Sequence, residues 1–180
     1  MANEVETKVL DIDVDDVMRK LAELGAAKTA ENKLTVDWFR LKGVEEGKDP
    51  WFLRIRSYSD GRHEATWKAK SKITKGVRRH KEINLLLQEP DKLADLFCEI
   101  GLERYAHQEK FRASFKHKGW SFDIDRYPGM PAFMEIEGND EGHVSEALEL
   151  LGLGSNRTWA DGERTLIEKV YGLVWSDMRF

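Results

Sequence analysis

The sequence is poor in the features that would assign it quickly to several large classes. It has one cysteine, Cys98, so neither an intrachain disulfide nor a cysteine zinc cluster can form. Cys98 lies in an apolar helical stretch and reads as a packed, inert thiol. Only four prolines interrupt 180 residues, and six tryptophans argue against low complexity. No run approaches the ~18 consecutive apolar residues of a membrane span. Met1-Ala2-Asn3-Glu4 shows neither the basic start nor the apolar core of a secretion signal. The expectation is a cytoplasmic protein without membrane contact. Net charge is scarce too: 29 Lys plus Arg against 33 Asp plus Glu leave only −4. A general nucleic-acid coat would be markedly basic, so nucleic acid is not the expected partner.

What the chain does have is charge of both signs. Charged residues make up 34% of it, above the usual quarter or so. Hydrophobic residues make up 41%, enough for a sizeable core. The length fits one domain over 1–180.

Charge and apolarity alternate with period 2 along many segments, the signature of half-buried strands. Residues 4–10, 29–41, 51–58, 65–70, 77–87, 104–116, 120–125 and 133–137 read this way. Helices interrupt them. Asp13 caps a stripe of Val14, Val17, Met18, Leu21 and Leu24 that Gly25 stops. Pro90 opens a second, with Leu93, Leu96, Phe97 and Ile100 inward and Gly101 as its stop. A third is predicted over 143–151 and a fourth over 163–171. Leu21-Ala22-Glu23-Leu24-Gly25 is echoed by Phe97-Cys98-Glu99-Ile100-Gly101, 76 positions later. Each half then reads strand, helix, three strands. The predicted fold class is α+β: a closed eight-stranded antiparallel β-barrel, with a charged lumen and helices packed outside, since closure removes sheet edges.

Charged residues of one sign recur at i and i+2 on strand after strand. Glu4/Glu6, Asp123/Asp125 and Glu135/Glu137 are acidic; Arg54/Arg56, Lys68/Lys70 and Lys110/Arg112 are basic. Residues two apart share a face. For one strand alone, a solvated face explains the pattern. Across all of them, the uniform sign within each pair favours a charged lumen. An empty lumen of both signs is costly. Carboxylate pairs without histidine or cysteine suit Mg²⁺ or Mn²⁺. Arg and Lys suit phosphate oxygens. Together they describe a metal–polyphosphate chelate.

The ordered set Glu4-x-Glu6-x-Lys8, Leu53-Arg54-Ile55-Arg56, Thr66-Trp67-Lys68, Lys81-Glu82, Lys110-Phe111-Arg112, Asp123-Ile124-Asp125 and Phe133-Met134-Glu135-Ile136-Glu137 resembles the CYTH superfamily. These are the triphosphate tunnel metalloenzymes, which include class IV adenylyl cyclases and thiamine triphosphatases. The resemblance runs from Glu4 to about Tyr171. It implies an eight-stranded tunnel and a small-molecule triphosphate as ligand, and it admits a homodimer. It implies Glu4, Glu6, Asp125, Glu135 and Glu137 as metal ligands. It implies Lys8, Arg54, Arg56, Lys68, Lys110 and Arg112 as triphosphate contacts, with Lys70 and Arg78 beside them and Lys8, Arg56 and Lys68 as the catalytic cations. Glu82 would add a further tunnel carboxylate, but Asn84 stands where the family often repeats the acid. His80 is placed toward the lumen, and Trp38 or Phe39 at its mouth. Two reactions are open: hydrolysis of a triphosphate, or cyclisation of ATP. The chain shows no base-recognition motif and no extended segment before Glu4, which tilts the reading to hydrolysis. A non-catalytic polyphosphate-binding module is a further alternative.

Overall fold

The computed structural model describes residues 5–45, 48–69, 72–74, 77–79 and 82–180. In chain order its elements are β1 (Val5–Val9), α1 (Val14–Leu24), β2 (Ala27–Leu41), β3 (Trp51–Tyr58), β4 (His63–Ala69), β5 (Lys72–Thr74), β6 (Val77–Arg79), β7 (Glu82–Leu87), α2 (Pro90–Glu99), β8 (Leu102–His117), β9 (Trp120–Arg126), β10 (Phe133–Gly138), α3 (Glu141–Leu150), β11 (Thr158–Trp159), α4 (Glu163–Lys169) and β12 (Asp177–Met178).

The class is α+β. A ten-stranded sheet runs in the order β11-β1-β10-β9-β8-β2-β3-β4-β7, with β12 beside β8, and β5 and β6 form a separate pair. Among the described residues these ladders are antiparallel except β12 on β8. Among the described residues no hydrogen-bonded ladder joins β11 to β7. The strand count exceeds the expected eight because β11 and β12 have two residues each, too short to print a period of 2. The strand expected over 77–87 is two strands, β6 and β7. Among the described residues no helix is long and apolar enough to cross a membrane.

The chain divides into two compact units: residues 1–32 with 110–173, and residues 33–109 with 174–180. These units are not the two sequence repeats. The first joins β1 and α1 of the first repeat to β9 and β10 of the second. The other joins β3 and β4 of the first to β7 and α2 of the second.

In the first unit α1 lies on the apolar sides of β9 and β10. Val17 and Leu21 pack with Phe115, Phe122, Ile124, Met134 and Ile136, all nearly inaccessible. Asp13 caps α1 by accepting from the Asp16 amide at 3.1 Å. Gly25 ends it at φ +80°, a left-handed conformation that glycine adopts without strain. Trp120 packs against His143 of α3 at 4.3 Å and donates to its carbonyl at 2.8 Å. It is a helix-packing residue, as its alternation predicts.

In the second unit α2 buries Ala94 against Phe39, Ile55, Ala65 and Leu102, with Trp51, Leu53, Phe97 and Cys98 around them. Phe39 meets Phe97 edge-on at 5.2 Å, so it is core. In both units the period-2 pattern thus sends apolar side chains to a helix and leaves the alternate positions for charge.

Candidate functional site

In the first unit four strands set charged side chains side by side. Their register does this. Lys8 on β1 faces Glu135 on β10, and Glu135 faces Asp123 on β9. Asp125 on β9 faces Arg112 on β8, and Asp123 faces Ser114. All sit on the side opposite the α1 core.

Lys8 is only 2% exposed, and its ammonium lies 3.0 Å from Glu135 and 3.3 Å from Glu6. Burial works against the Lys8 ammonium, but Glu135, Glu6 and Glu163 outweigh it and raise its pKa. Arg112, on β8, spreads its guanidinium over β9 and β10. Nε donates to Asp125 at 2.6 Å, Nη1 to Asp123 at 2.6 Å, and Nη2 to Glu135 at 2.8 Å and again to Asp125. Lys110 reaches Asp125 at 3.0 Å and Glu163 at 2.8 Å. Ser114 donates to Asp123.

The carboxylates respond differently. Burial pushes the fully inaccessible Asp125 up despite Arg112 and Lys110. Glu135 is held below the usual range: burial opposes this, but Arg112 and Lys8 prevail. Glu163 is held well below it, with Lys110 and Arg112 overcoming burial. Asp125, Glu135 and Glu163 each offer an oxygen, these atoms lying within 4.8 Å of one another. Such an all-oxygen set fits a hard cation such as Mg²⁺ or Mn²⁺.

Glu163 is the residue the strand motifs miss. It starts α4, outside any i, i+2 pair, and the sequence marks it only as a helix first-turn acid. Tyr127 joins it, donating to its second oxygen at 2.7 Å.

In the second unit β3 and β4 form another charged face. Arg54 faces Thr66, Arg56 faces Glu64 and Phe52 faces Lys68. Arg56 donates from Nη1 to Glu64 and to the Tyr58 hydroxyl, both at 2.9 Å. The Arg56 Nε is buried without a hydrogen bond among the described residues. Lys68 pairs with Glu82 at 2.6 Å. Burial opposes the charge on Glu82, but Lys68 and Asn84 bring its pKa below the usual range. Asn84 accepts from Thr66 at 2.8 Å and donates to Glu82 at 2.9 Å, so it orients the acid where a second acid was expected. Trp38 has the Arg54 guanidinium 5.4 Å from its ring and donates to Gln108 at 2.9 Å.

Of the expected site residues, Lys8, Lys110, Arg112, Asp125 and Glu135 meet in one network. Glu6 touches it through Lys8, with its side chain 52% exposed. Glu137 faces Glu6 across β1 and β10. Arg54, Arg56 and Lys68 share the face of the second unit. Arg78 lies in β6 opposite Ile73. Glu4, Lys70 and His80 lie outside the described residues.

No protein-family model matches the chain. A curated protein of Methanocaldococcus jannaschii named "Putative adenylate cyclase" is 29% identical over 136 residues, 74% of this chain and 75% of that protein. A solved "putative adenylate cyclase" of Vibrio parahaemolyticus superposes with a TM-score of 0.73 at 15% identity, covering 93% of this chain and 98% of that one. A Hippeastrum "putative adenylyl cyclase" with a dominant triphosphatase activity superposes with a TM-score of 0.69 at 14% identity, covering 97% of each chain. At such identities the solved structures show a shared fold.

Proposed function

We propose that this chain is a member of the CYTH superfamily and a divalent-metal-dependent phosphohydrolase acting on a triphosphate, a reading supported by its motifs, its archaeal relative and its fold. Inorganic tripolyphosphate, thiamine triphosphate and nucleoside triphosphates are the candidate substrates. The observation that carries this is the network of Lys8, Lys110 and Arg112 against Asp125, Glu135 and Glu163. Replacing buried ion pairs by apolar side chains is often neutral or stabilising, so their presence argues for a ligand more than for stability.

In this reading Lys8, Lys110 and Arg112 of the first unit, and Arg54, Arg56 and Lys68 of the second, contact phosphate oxygens. Lys70 and Arg78 assist them. Lys8, Arg56 and Lys68 act as the catalytic cations, stabilising negative charge on the transferring phosphoryl group. Glu4, Glu6, Asp125, Glu135 and Glu137 would hold the metal, with Asp125 and Glu135 offering oxygens within 4.8 Å of each other. A bound Mg²⁺ or Mn²⁺ would polarise the phosphoryl oxygens. Water attacks the terminal phosphorus, its bond to the bridging oxygen breaks, the diphosphate part leaves, and the attacked phosphoryl group is released as inorganic phosphate. The closed eight-stranded tunnel and a single domain over 1–180 belong to the same proposal.

The name of the archaeal relative favours a second reading, a class IV adenylyl cyclase. There the ribose 3′-hydroxyl attacks the α-phosphorus and pyrophosphate leaves. The description of the Hippeastrum protein supports hydrolysis instead.

The test is product identification. Purified protein is incubated with Mg²⁺ or Mn²⁺ and ATP, tripolyphosphate or thiamine triphosphate. Phosphate release selects the hydrolase. Cyclic AMP with pyrophosphate selects the cyclase. Tight tripolyphosphate binding without turnover would sink the enzyme reading and leave a binding module. Glu137→Gln should abolish turnover with the fold intact; unchanged activity and metal dependence would remove Glu137 from the metal site.

A further inference from the structure

We infer that Glu163, at the head of α4, is a positioning residue that fixes Lys110 for contact with a substrate phosphate. The inference rests on the triphosphate reading above.

Lysine carries its charge on a flexible stem, and its three N–H donors rotate freely. A lysine that must meet one phosphate oxygen therefore needs its ammonium oriented from outside. Lys110 has that orientation. Its side chain is 4% exposed, and two fixed carboxylates take two of its three donors: Asp125 at 3.0 Å and Glu163 at 2.8 Å. Among the described residues the third donor has no hydrogen-bond partner, which leaves it for a ligand. The Tyr127 ring lies 5.1 Å from the same ammonium.

Glu163 is itself held at both ends. Its second oxygen accepts from the Tyr127 hydroxyl at 2.7 Å. Tyr127 is buried and stacks on Phe133 at 6.2 Å, so it cannot follow a moving carboxylate. Behind Glu163, α4 is anchored by Leu166 and Ile167, both inaccessible. The result is a continuous line: Tyr127 to Glu163, Glu163 to Lys110, Lys110 to Asp125. Both Glu163 oxygens are committed to fixed donors. Its contact with Lys110 makes α4 part of the phosphate machinery.

Tripolyphosphate affinity by calorimetry, with and without Mn²⁺, and steady-state kinetics would be measured for the whole chain and four variants. These are Glu163→Ala, Glu163→Gln, Lys110→Ala and the Glu163→Ala/Lys110→Ala double variant. Thermal melts confirm folding. Glu163→Ala is expected to weaken tripolyphosphate binding and raise KM about tenfold, with kcat changed by less than about threefold. Glu163→Gln should recover part of the loss, because its amide oxygen still accepts from Lys110. It also keeps the test alive if the alanine variant does not fold. The double variant should bind no more weakly than Lys110→Ala, since a residue acting through Lys110 has nothing left to position.

Additive losses in the double variant would overturn the inference. So would Mn²⁺ affinity lost in Glu163→Ala with metal-free tripolyphosphate affinity unchanged, which would make Glu163 a metal ligand. If Lys110→Ala weakens binding and Glu163→Ala does not, the inference fails while the triphosphate reading stands. If the unaltered protein binds no triphosphate at all, both fail together.

Discussion

Lys8 and Glu135 stand directly opposite each other on β1 and β10, and their charged ends meet at 3.0 Å with Lys8 only 2% exposed. The pair ties the first strand of the chain to the last long one. Lys8→Met keeps the stem and removes the charge, leaving Glu135 without this partner. The expected cost is about 3 kcal/mol, the low end for breaking a buried pair. Urea unfolding measures it. Adding Glu135→Gln to Lys8→Met should restore part of the loss; a double variant as unstable as the sum would show the two are not coupled.

Arg112 is expected to resist its conservative replacement. Its planar fork serves Asp123, Asp125 and Glu135 at once. A lysine there is a point charge and cannot reach all three. Arg112→Lys should cost roughly 2 kcal/mol in the same unfolding experiment. A loss below experimental error would mean that the fork adds nothing beyond its charge.

Tyr171 supplies a prediction at alkaline pH. Its hydroxyl donates to Asp11 at 2.9 Å. Partial burial and the Asp11 carboxylate push its pKa up from 10.0 to about 12. The folded state therefore favours the neutral phenol. Its contribution is complete below pH 10 and is lost as the pH rises towards 12. Tyr171→Phe should be slightly less stable at neutral pH and decline less steeply over that alkaline window. Parallel slopes for the two proteins would remove this linkage. A phenolate absorbance titration gives the pKa directly.

Asp13 is a helix cap, not a site residue. Its side chain accepts from the Asp16 amide, and Asp15 and Asp16 add negative charge to the first turn of α1. Asp13→Ala should cost about 1 kcal/mol, read from the unfolding midpoint, with tripolyphosphate affinity unchanged. A change in affinity with full stability would contradict a purely capping role.

The face that each strand presents is written in the local pattern of residues. Side chains two apart point the same way in any strand. So Lys110 with Arg112, Asp123 with Asp125 and Arg54 with Arg56 were fixed as pairs before any neighbour was known. The caps were equally local: Asp13, Gly25 and Pro90 act within one helical turn. The repeat also followed from sequence.

Which side chains meet depends on how distant segments pack. Register is set by long-range ladders, so no spacing reveals that Lys8 faces Glu135 or that Arg112 faces Asp125. The two repeats do not fold as separate units; each compact unit takes the opening strand and helix of one and a strand pair of the other. Glu163 is the clearest case. It lies 53 residues from Lys110, on a helix, where strand periodicity carries no information. Its meeting with Lys110 and Tyr127 depends on where Leu166 and Ile167 bury α4. The residue types that give the site its chemistry are therefore written locally, while their assembly into an ion-pair network is a property of the fold.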